Sequence, residues 1–204
     1  MLYLILYICV NRWKYVYLRI DANRKMKISF CSMNTIFVQY YAAPCGEMIL
    51  GSYAGQLCLC DWLENRRRAQ IDARLRRMLA ARYEVCSSEV VSRAASELEE
   101  YFNGVRTAFD IPLLMLGTEF QKQVWHALCA IPYGSIISYG EEARLLGKAN
   151  AVRAVANANG ANALSVLVPC HRVVGSDGAL GGYGGGLDVK RYLLGIEGAD
   201  ATLR

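Results

Sequence analysis

The sequence is poor in histidine: only His126 and His171 occur in 204 residues. Any chemistry that needs an imidazole base must use one of these two. Cys45, Cys58 and Cys60 likewise lack a histidine at the spacing a zinc site requires, so they read as buried strand residues. No apolar run approaches the roughly 20 residues of a membrane helix. The opening run Met1–Val10 is too short and is closed by Asn11, Arg12 and Lys14, and its positive charges follow the apolar stretch, the reverse of a secretory leader. Eight cysteines without such a leader, in a chain too long to need staples, imply reduced thiols in a cytoplasmic compartment and no membrane partner. Strong charge of either sign is missing too. The formal net charge of +5 permits a polyanionic partner without demanding one.

What is present is apolar material, 54% of the residues, enough for one large domain or two small ones. Residues 1–32 form a poorly patterned extension. Cleaner alternation begins at Met33, which is expected to be the functional start; an added edge strand such as Tyr15–Ile20 fits the same pattern. From there the strands Thr35–Tyr41, Glu47–Tyr53 and Gln56–Leu63, divided by Cys45-Gly46 and Ala54-Gly55, predict a small antiparallel meander. Helices are expected over Asn65–Tyr83 and Glu89–Phe102, and the Arg66-Arg67-Arg68 run reads as the solvated face of the first. A boundary in the stretch around Pro112 divides an N-terminal α/β unit, 33–116, from a mainly helical unit, 117–204.

The second unit is sharply punctuated. Thr118–Gln121 and Ser138–Glu141 are capping boxes, the first opening a helix that carries Trp125 as a packing residue and His126 as a surface one. The second opens a short helix through Leu146, which Gly147 stops, and another helix follows over Ala149–Ala158. Two short helices joined through a glycine have the form of a helix-turn-helix. On the second, Asn150, Arg153 and Asn157 share one stripe opposite Ala151, Val152 and Val155. That stripe suits close approach to a DNA backbone and is also the pattern of an ordinary solvated face.

Val166–Val174 delivers Cys170, His171 and Arg172 between apolar walls. A nucleophilic cysteine needs a lowered pKa or a base within reach. On extended backbone adjacent side chains point apart, so a turn or a bridging water must connect Cys170 to His171. His171 would in turn need a partner to fix its tautomer, and Glu197, in the terminal helix after Lys190–Leu194, is the candidate. Taken alone, the residues leave open that Cys170 is a buried inert thiol.

Pro169-Cys-His-Arg-Val-Val174 resembles the active-site signature of the methylated-DNA–protein-cysteine methyltransferases, or O6-alkylguanine-DNA alkyltransferases. The similarity extends through Ile137-Ser138-Tyr139, Arg153-Ala154-Val155, Asn162, Gly181-Gly182-Tyr183, Gly185-Gly186-Leu187, Lys190 and Glu197-Gly198, covering about 117–198. It implies a ribonuclease-H-like N-terminal domain and a winged-helix-like catalytic domain acting as a monomer on double-stranded DNA that carries alkylated guanine. The alkyl group would pass from guanine O6, and from O4-alkylthymine, irreversibly to Cys170, with no cofactor.

In the same resemblance His171 deprotonates Cys170 through a water, oriented by Glu197, and Asn162 is the hinge between the second helix and the active-site loop. Tyr139 presses on the target phosphate and bonds the flipped base, which Arg153 replaces in the stack. The helix carrying Asn150 and Asn157 enters the minor groove. Tyr183 walls the base pocket, the Gly184 amide bonds guanine O6, carbonyls near Cys170 and Val173 accept from its amino group, and Lys190 lies at the same pocket. Ala163, where proline is common, and Gly184, where a larger residue is common, depart from the pattern and bear on loop rigidity and tolerance of bulky alkyl groups. Rival readings are a non-enzymatic sensor of alkylated DNA, against which Cys170 argues, a cysteine hydrolase or phosphatase, and a transcription factor. Arg172 stands too close to Cys170 to close a phosphate-cradling loop, and one helix-turn-helix does not make a repressor.

Overall fold

The computed structural model describes residues 34–199 in full and, as strands, β1 (Ile8–Cys9), β2 (Tyr15–Ile20) and β3 (Met26–Phe30). Met33 lies outside the described residues. Tyr15–Ile20, expected as an added edge strand, is instead the central strand of a separate antiparallel sheet of order β1-β2-β3.

The main sheet has the order β6-β5-β4-β7. Its meander is β4 (Thr35–Ala43), β5 (Gly46–Tyr53) and β6 (Gln56–Trp62), each antiparallel to the next. Ala54 and Gly55 both take left-handed backbone, φ 49° and 79°, the geometry a two-residue hairpin turn requires. Cys58 and Cys60 are buried in β6, whereas Cys45 is half-buried in the β4–β5 turn rather than in a strand.

Helix α1 is shorter than its composition predicts. It runs Arg68–Leu79 and stops where Ala80 turns left-handed, φ 47°. Residues 65–67 are a turn in which the Asn65 side chain accepts from the Arg67 amide at 2.9 Å. Arg82 and Tyr83, expected to be helical, belong to β7 (Arg82–Val85), which pairs in parallel with β4 from Thr35↔Arg82 to Val38↔Val85. A vacant sheet edge overrides the helical propensity of this stretch. Helix α2 (Glu89–Phe102) is capped by Ser88 and buries Val91, Ala94, Leu98 and Tyr101.

The opposite edge, β6, is covered by two later segments. The connector clips on through Leu57 N–H to the Pro112 carbonyl and Leu114 N–H to the Leu57 carbonyl, both 2.8 Å. Further along, Cys60 N–H donates to the Ala163 carbonyl at 2.8 Å and Ser165 N–H to the Cys60 carbonyl at 2.6 Å. Covering this edge satisfies its backbone groups and fixes the loop that leads to Cys170.

Both capping boxes form reciprocally, Thr118 with Gln121 at the start of α3 (Glu119–Cys129) and Ser138 with Glu141 at the start of α4 (Tyr139–Leu145). Gly147, φ 66°, turns the chain after α4. The first turn of the next helix is a 3-10 turn, Ala149–Ala151, before α5 (Val152–Asn159). β8 (Ile137–Ser138) pairs in parallel with β9 (Val173–Val174), joining the start of α4 to the end of the Cys170 turn. Helix α6 is Leu187–Ile196; Glu197, expected within it, sits just past its end. One apolar cluster joins Leu57, Trp62, Leu98 and Tyr101 to Val124, Val155, Val168 and Leu193, so the core is continuous across Gly117. A second cluster packs α1 on the other face of the sheet through Ile36, Leu59, Ile71 and Leu75.

Candidate active site

Cys170 opens a 3-10 turn, Cys170–Arg172, reached through a strained approach: Val166 is buried with φ 72°, a region β-branched residues avoid. Asn162 holds this loop. Its Oδ1 accepts from Leu164 N–H at 2.9 Å, while its Nδ2 donates to the Val168 carbonyl at 2.9 Å and to Cys170 Sγ at 3.5 Å. Burial pushes the thiol up to about 11, against the opposing effects of the Asn162 hydrogen bond and the Lys190 charge. Cys170 is therefore a thiol at rest and needs a base.

His171, the next residue of the turn, is fully buried. Its Nε2 lies 2.8 Å from Glu197 Oε1, and its Nδ1 has no partner among the described residues. Glu197 also takes Arg172 in a fork, Nε on Oε2 at 2.8 Å and Nη2 on Oε1 at 3.0 Å. Burial opposes ionisation, but the bonds from His171 and Arg172 hold the carboxyl down to about 2. Burial pushes the His171 imidazole down. The resting pair is a carboxylate facing a neutral imidazole with its proton on Nε2, so Nδ1 is an acceptor.

The remaining expected residues converge on the same face. Lys190 is fully buried; its ammonium donates to the Val173 carbonyl at 2.6 Å and to the Leu180 carbonyl, and lies 6.0 Å from the Tyr139 ring centroid. Burial lowers it to about 8. The Val173 carbonyl, expected to serve a base, thus already accepts one bond. Tyr139 is half-buried and pushed up to about 12, by burial first and then by Cys170 and Glu142, so it remains a donor. It packs against Gly181, φ 65°, where a Cβ would stand 3.2 Å from its ring. The Tyr183 ring lies 6.4 Å from that of His171, and its hydroxyl accepts from Trp62 Nε1 at 3.1 Å. Gly184 and Gly185 leave no room for side chains: a Cβ would lie 2.7 Å from Asn65 Nδ2 and 2.7 Å from Trp62 Cδ1 respectively.

Asn150, Arg153 and Asn157 are exposed while Val155 is buried and Ala151 and Val152 are half-buried. Asn157 does not stand alone. Arg67 reaches it from the N-terminal unit, donating to its carbonyl at 3.1 Å and its Oδ1 at 3.3 Å. Arg68 is likewise more than a solvated side chain, since it pairs with the fully buried Asp61 at 2.7 Å and with Asp72 at 2.6 Å. Trp125 is buried and His126 exposed.

Sequence reasoning missed the partners before Gly117. Asp61 accepts from Asn65, Arg68 and Ser165, tying β6 to the loop ahead of Cys170. A carboxylate inside the apolar run Leu57–Trp62 was the available signal. Tyr101, Trp62 and the buried Glu142 carry no local signature. Among the described residues no group of three or more potential ligands could hold a metal, and no helix is long and apolar enough to cross a membrane.

The family described as 6-O-methylguanine DNA methyltransferase, DNA binding domain, matches residues 119–199. A methylated-DNA–protein-cysteine methyltransferase of Methanosarcina barkeri is 41% identical over 155 residues, 76% of this chain and 92% of that protein. One from Mycolicibacterium paratuberculosis is 54% identical over 104 residues, 51% of this chain and 63% of that protein. Among solved structures, Mycobacterium tuberculosis O6-methylguanine methyltransferase aligns with a TM-score of 0.68 at 37% identity, covering 81% of this chain and 94% of that one. Mycobacterium tuberculosis OGT in complex with DNA aligns with a TM-score of 0.67 at 38% identity, covering 82% and 98%.

Proposed function

Because this chain belongs to the methylated-DNA–protein-cysteine methyltransferase family and so repairs DNA by methyl transfer, we propose that Cys170 is the acceptor. It takes the alkyl group from O6 of guanine in double-stranded DNA, and from O4-alkylthymine. The observation that carries this reading is the buried pair at the residue after Cys170, an ionised Glu197 bonded to His171 Nε2 with Nδ1 left as an acceptor. With the thiol at about 11, a thiolate at neutral pH stands on the order of 5 kcal/mol uphill. A water between Cys170 Sγ and His171 Nδ1 carries the proton to the imidazole, and the Glu197 carboxylate stabilises the imidazolium.

The thiolate attacks the alkyl carbon; the Sγ–C bond forms, the C–O6 bond breaks, and the proton taken from the thiol returns to the departing guanine. The balance needs no further reactant, so the protein itself is consumed, one copy per lesion and without a cofactor. A thiol in this loop cannot reach O6 in a stacked duplex, so the base must be extruded. Arg153, exposed on α5, fills the gap in the stack, and Asn150 and Asn157 approach the backbone in the minor groove. Tyr139 presses on the phosphate and donates to the base; Tyr183, the Gly184 amide, the carbonyls near Cys170 and Val173, and Lys190 form the pocket, and Asn162 is the hinge. We read α4 and α5 as a helix-turn-helix in a winged-helix-like unit, and the β4–β7 unit as ribonuclease-H-like.

Incubation with a duplex containing O6-methylguanine should add one methyl mass to the Cys170 peptide in proportion to the lesion consumed. Cys170→Ala should still bind this duplex and transfer nothing. Binding by the wild-type protein without a mass shift, or transfer by Cys170→Ala, would overturn the proposal.

A further inference from the structure

Tyr101 lies on α2, in the N-terminal unit, and is fully buried. Its ring packs against Phe102 and Phe109 with centroids 5.5 Å away and against Tyr133 at 6.2 Å. Phenylalanine would satisfy that packing equally well. The hydroxyl is a polar group brought into an apolar core, which costs free energy unless it is bonded. Its partner lies 96 residues away: the hydroxyl donates to Glu197 Oε1 at 2.7 Å.

We propose that Tyr101 is a positioning residue for alkyl transfer, fixing through its hydroxyl the Glu197 oxygen on which His171 turns. This rests on the relay described above. Oε1 receives Tyr101, His171 and Arg172, and Oε2 receives Arg172 and the Gly134 amide at 3.2 Å. Five donors exceed the roughly four lone-pair sites of a carboxylate, so its rotation is fixed from both sides of the chain. The groups facing Glu197 are Tyr101 from α2, Tyr133 from the turn before β8, and His171 and Arg172 from the Cys170 turn. Lys190 and Tyr183 face His171 from beyond.

Each donor withdraws charge from the carboxylate. The Tyr101 bond therefore keeps the shared proton on His171 Nε2 at rest and moderates how strongly the imidazolium is favoured during transfer. Removing it leaves Oε1 held by His171 and Arg172 alone, less tightly placed, and frees more negative charge for the imidazole.

In Tyr101→Phe, single-turnover methyl transfer should slow on the order of ten-fold, the scale of one charge-assisted hydrogen bond, while DNA affinity stays unchanged. The midpoint of the acid limb of the rate–pH profile should move upward. With only His126 and His171 in the chain, ring-nitrogen NMR assigns the effect directly: the His171 Nε2 proton should move downfield. A rate–pH profile and ring-nitrogen signals that superimpose on those of the wild type would overturn the inference while leaving transfer to Cys170 standing. Loss of transfer in the wild type would sink the relay itself. Should Tyr101→Phe not fold, the wild-type protein carries the test. Its Tyr101 hydroxyl proton should be a slowly exchanging resonance close to the His171 Nε2 proton, and a freely exchanging hydroxyl would overturn the inference.

Discussion

Glu142→Gln should stabilise the protein at pH 8 and flatten its stability between mildly acid and mildly basic pH. Glu142, on α4, is fully buried. Its Oε2 accepts from Asn159 Nδ2 of α5 at 2.7 Å, while its Oε1 and Asn159 Oδ1 have no partner among the described residues. Burial pushes the carboxyl up to about 7 from 4.5. The unfolded chain thus releases this proton near 4.5 and the folded chain near 7. The contribution to stability is complete below pH 4.5, declines as pH rises, and is gone above about 7. Two and a half pH units at about 1.4 kcal/mol each come to roughly 3 kcal/mol. Glutamine stays neutral throughout, and its amide can both accept from Asn159 Nδ2 and donate to Asn159 Oδ1. Chemical denaturation of both proteins at pH 5.5 and 8 isolates the effect, since His171 and Glu197 titrate alike in each. The variant should lead by roughly 3 kcal/mol at pH 8, a gain of about 6–12 °C in Tm for a chain of this size, and by about half that or less at pH 5.5. Equal leads at the two pH values, or a variant less stable at pH 8, would refute the argument.

Gly185→Ala places a methyl 2.7 Å from Trp62 Cδ1. Because Trp62 is itself buried, the glycine loop must move, at roughly 1–3 kcal/mol; transfer measured on O6-methylguanine duplex should slow at least several-fold, and an unchanged rate would show that the loop does not need its seat on Trp62. Lys190→Met removes the donor from the Val173 and Leu180 carbonyls and the charge that helps lower Cys170. Its rate–pH profile should shift to higher pH, and retention of the wild-type profile would contradict the role given to the ammonium.

Much of this site was legible because its signals are local. The capping boxes at Thr118 and Ser138 put α3 and α4 in place, and both formed as the spacing required. The segment around Cys170, His171 and Arg172 sets its candidate groups in consecutive residues, and only the partner of His171, Glu197, had to be sought at a distance. What escaped detection is long-range. Arg82–Val85 is polar and follows a helix rich in arginine, and nothing nearby announces that β4 leaves an edge free for it. Glu142 follows a capping box on a short helix, where a glutamate ordinarily faces water, and only the packing of α5 over α4 buries it. The arginine run at 66–68 looked like one solvated face because a helical pattern cannot show that Asp61 and Asn157 wait on two sides of it.

These long-range contacts share one direction. Tyr101 holds Glu197, Trp62 holds Tyr183, Asp61 holds Ser165, Arg67 holds Asn157, and Arg74 donates to the Ala161 carbonyl at 2.7 Å. Glu197, Tyr183, the strained loop, the exposed helix and the turn leaving it are each backed by a side chain that precedes Gly117. The residues proposed to react lie in the last third of the chain, but a carboxylate, a phenol ring and a positive-φ valine keep useful geometry only if something rigid stands behind them. The sheet and α2 supply that rigidity through a core shared with α3 and α6. Substitutions in the N-terminal unit that leave folding intact should therefore alter the rate of transfer more than the affinity for DNA, because their contacts converge on the proposed relay and pocket, with Arg67 and Arg74 the exceptions in touching the exposed helix and the turn leaving it.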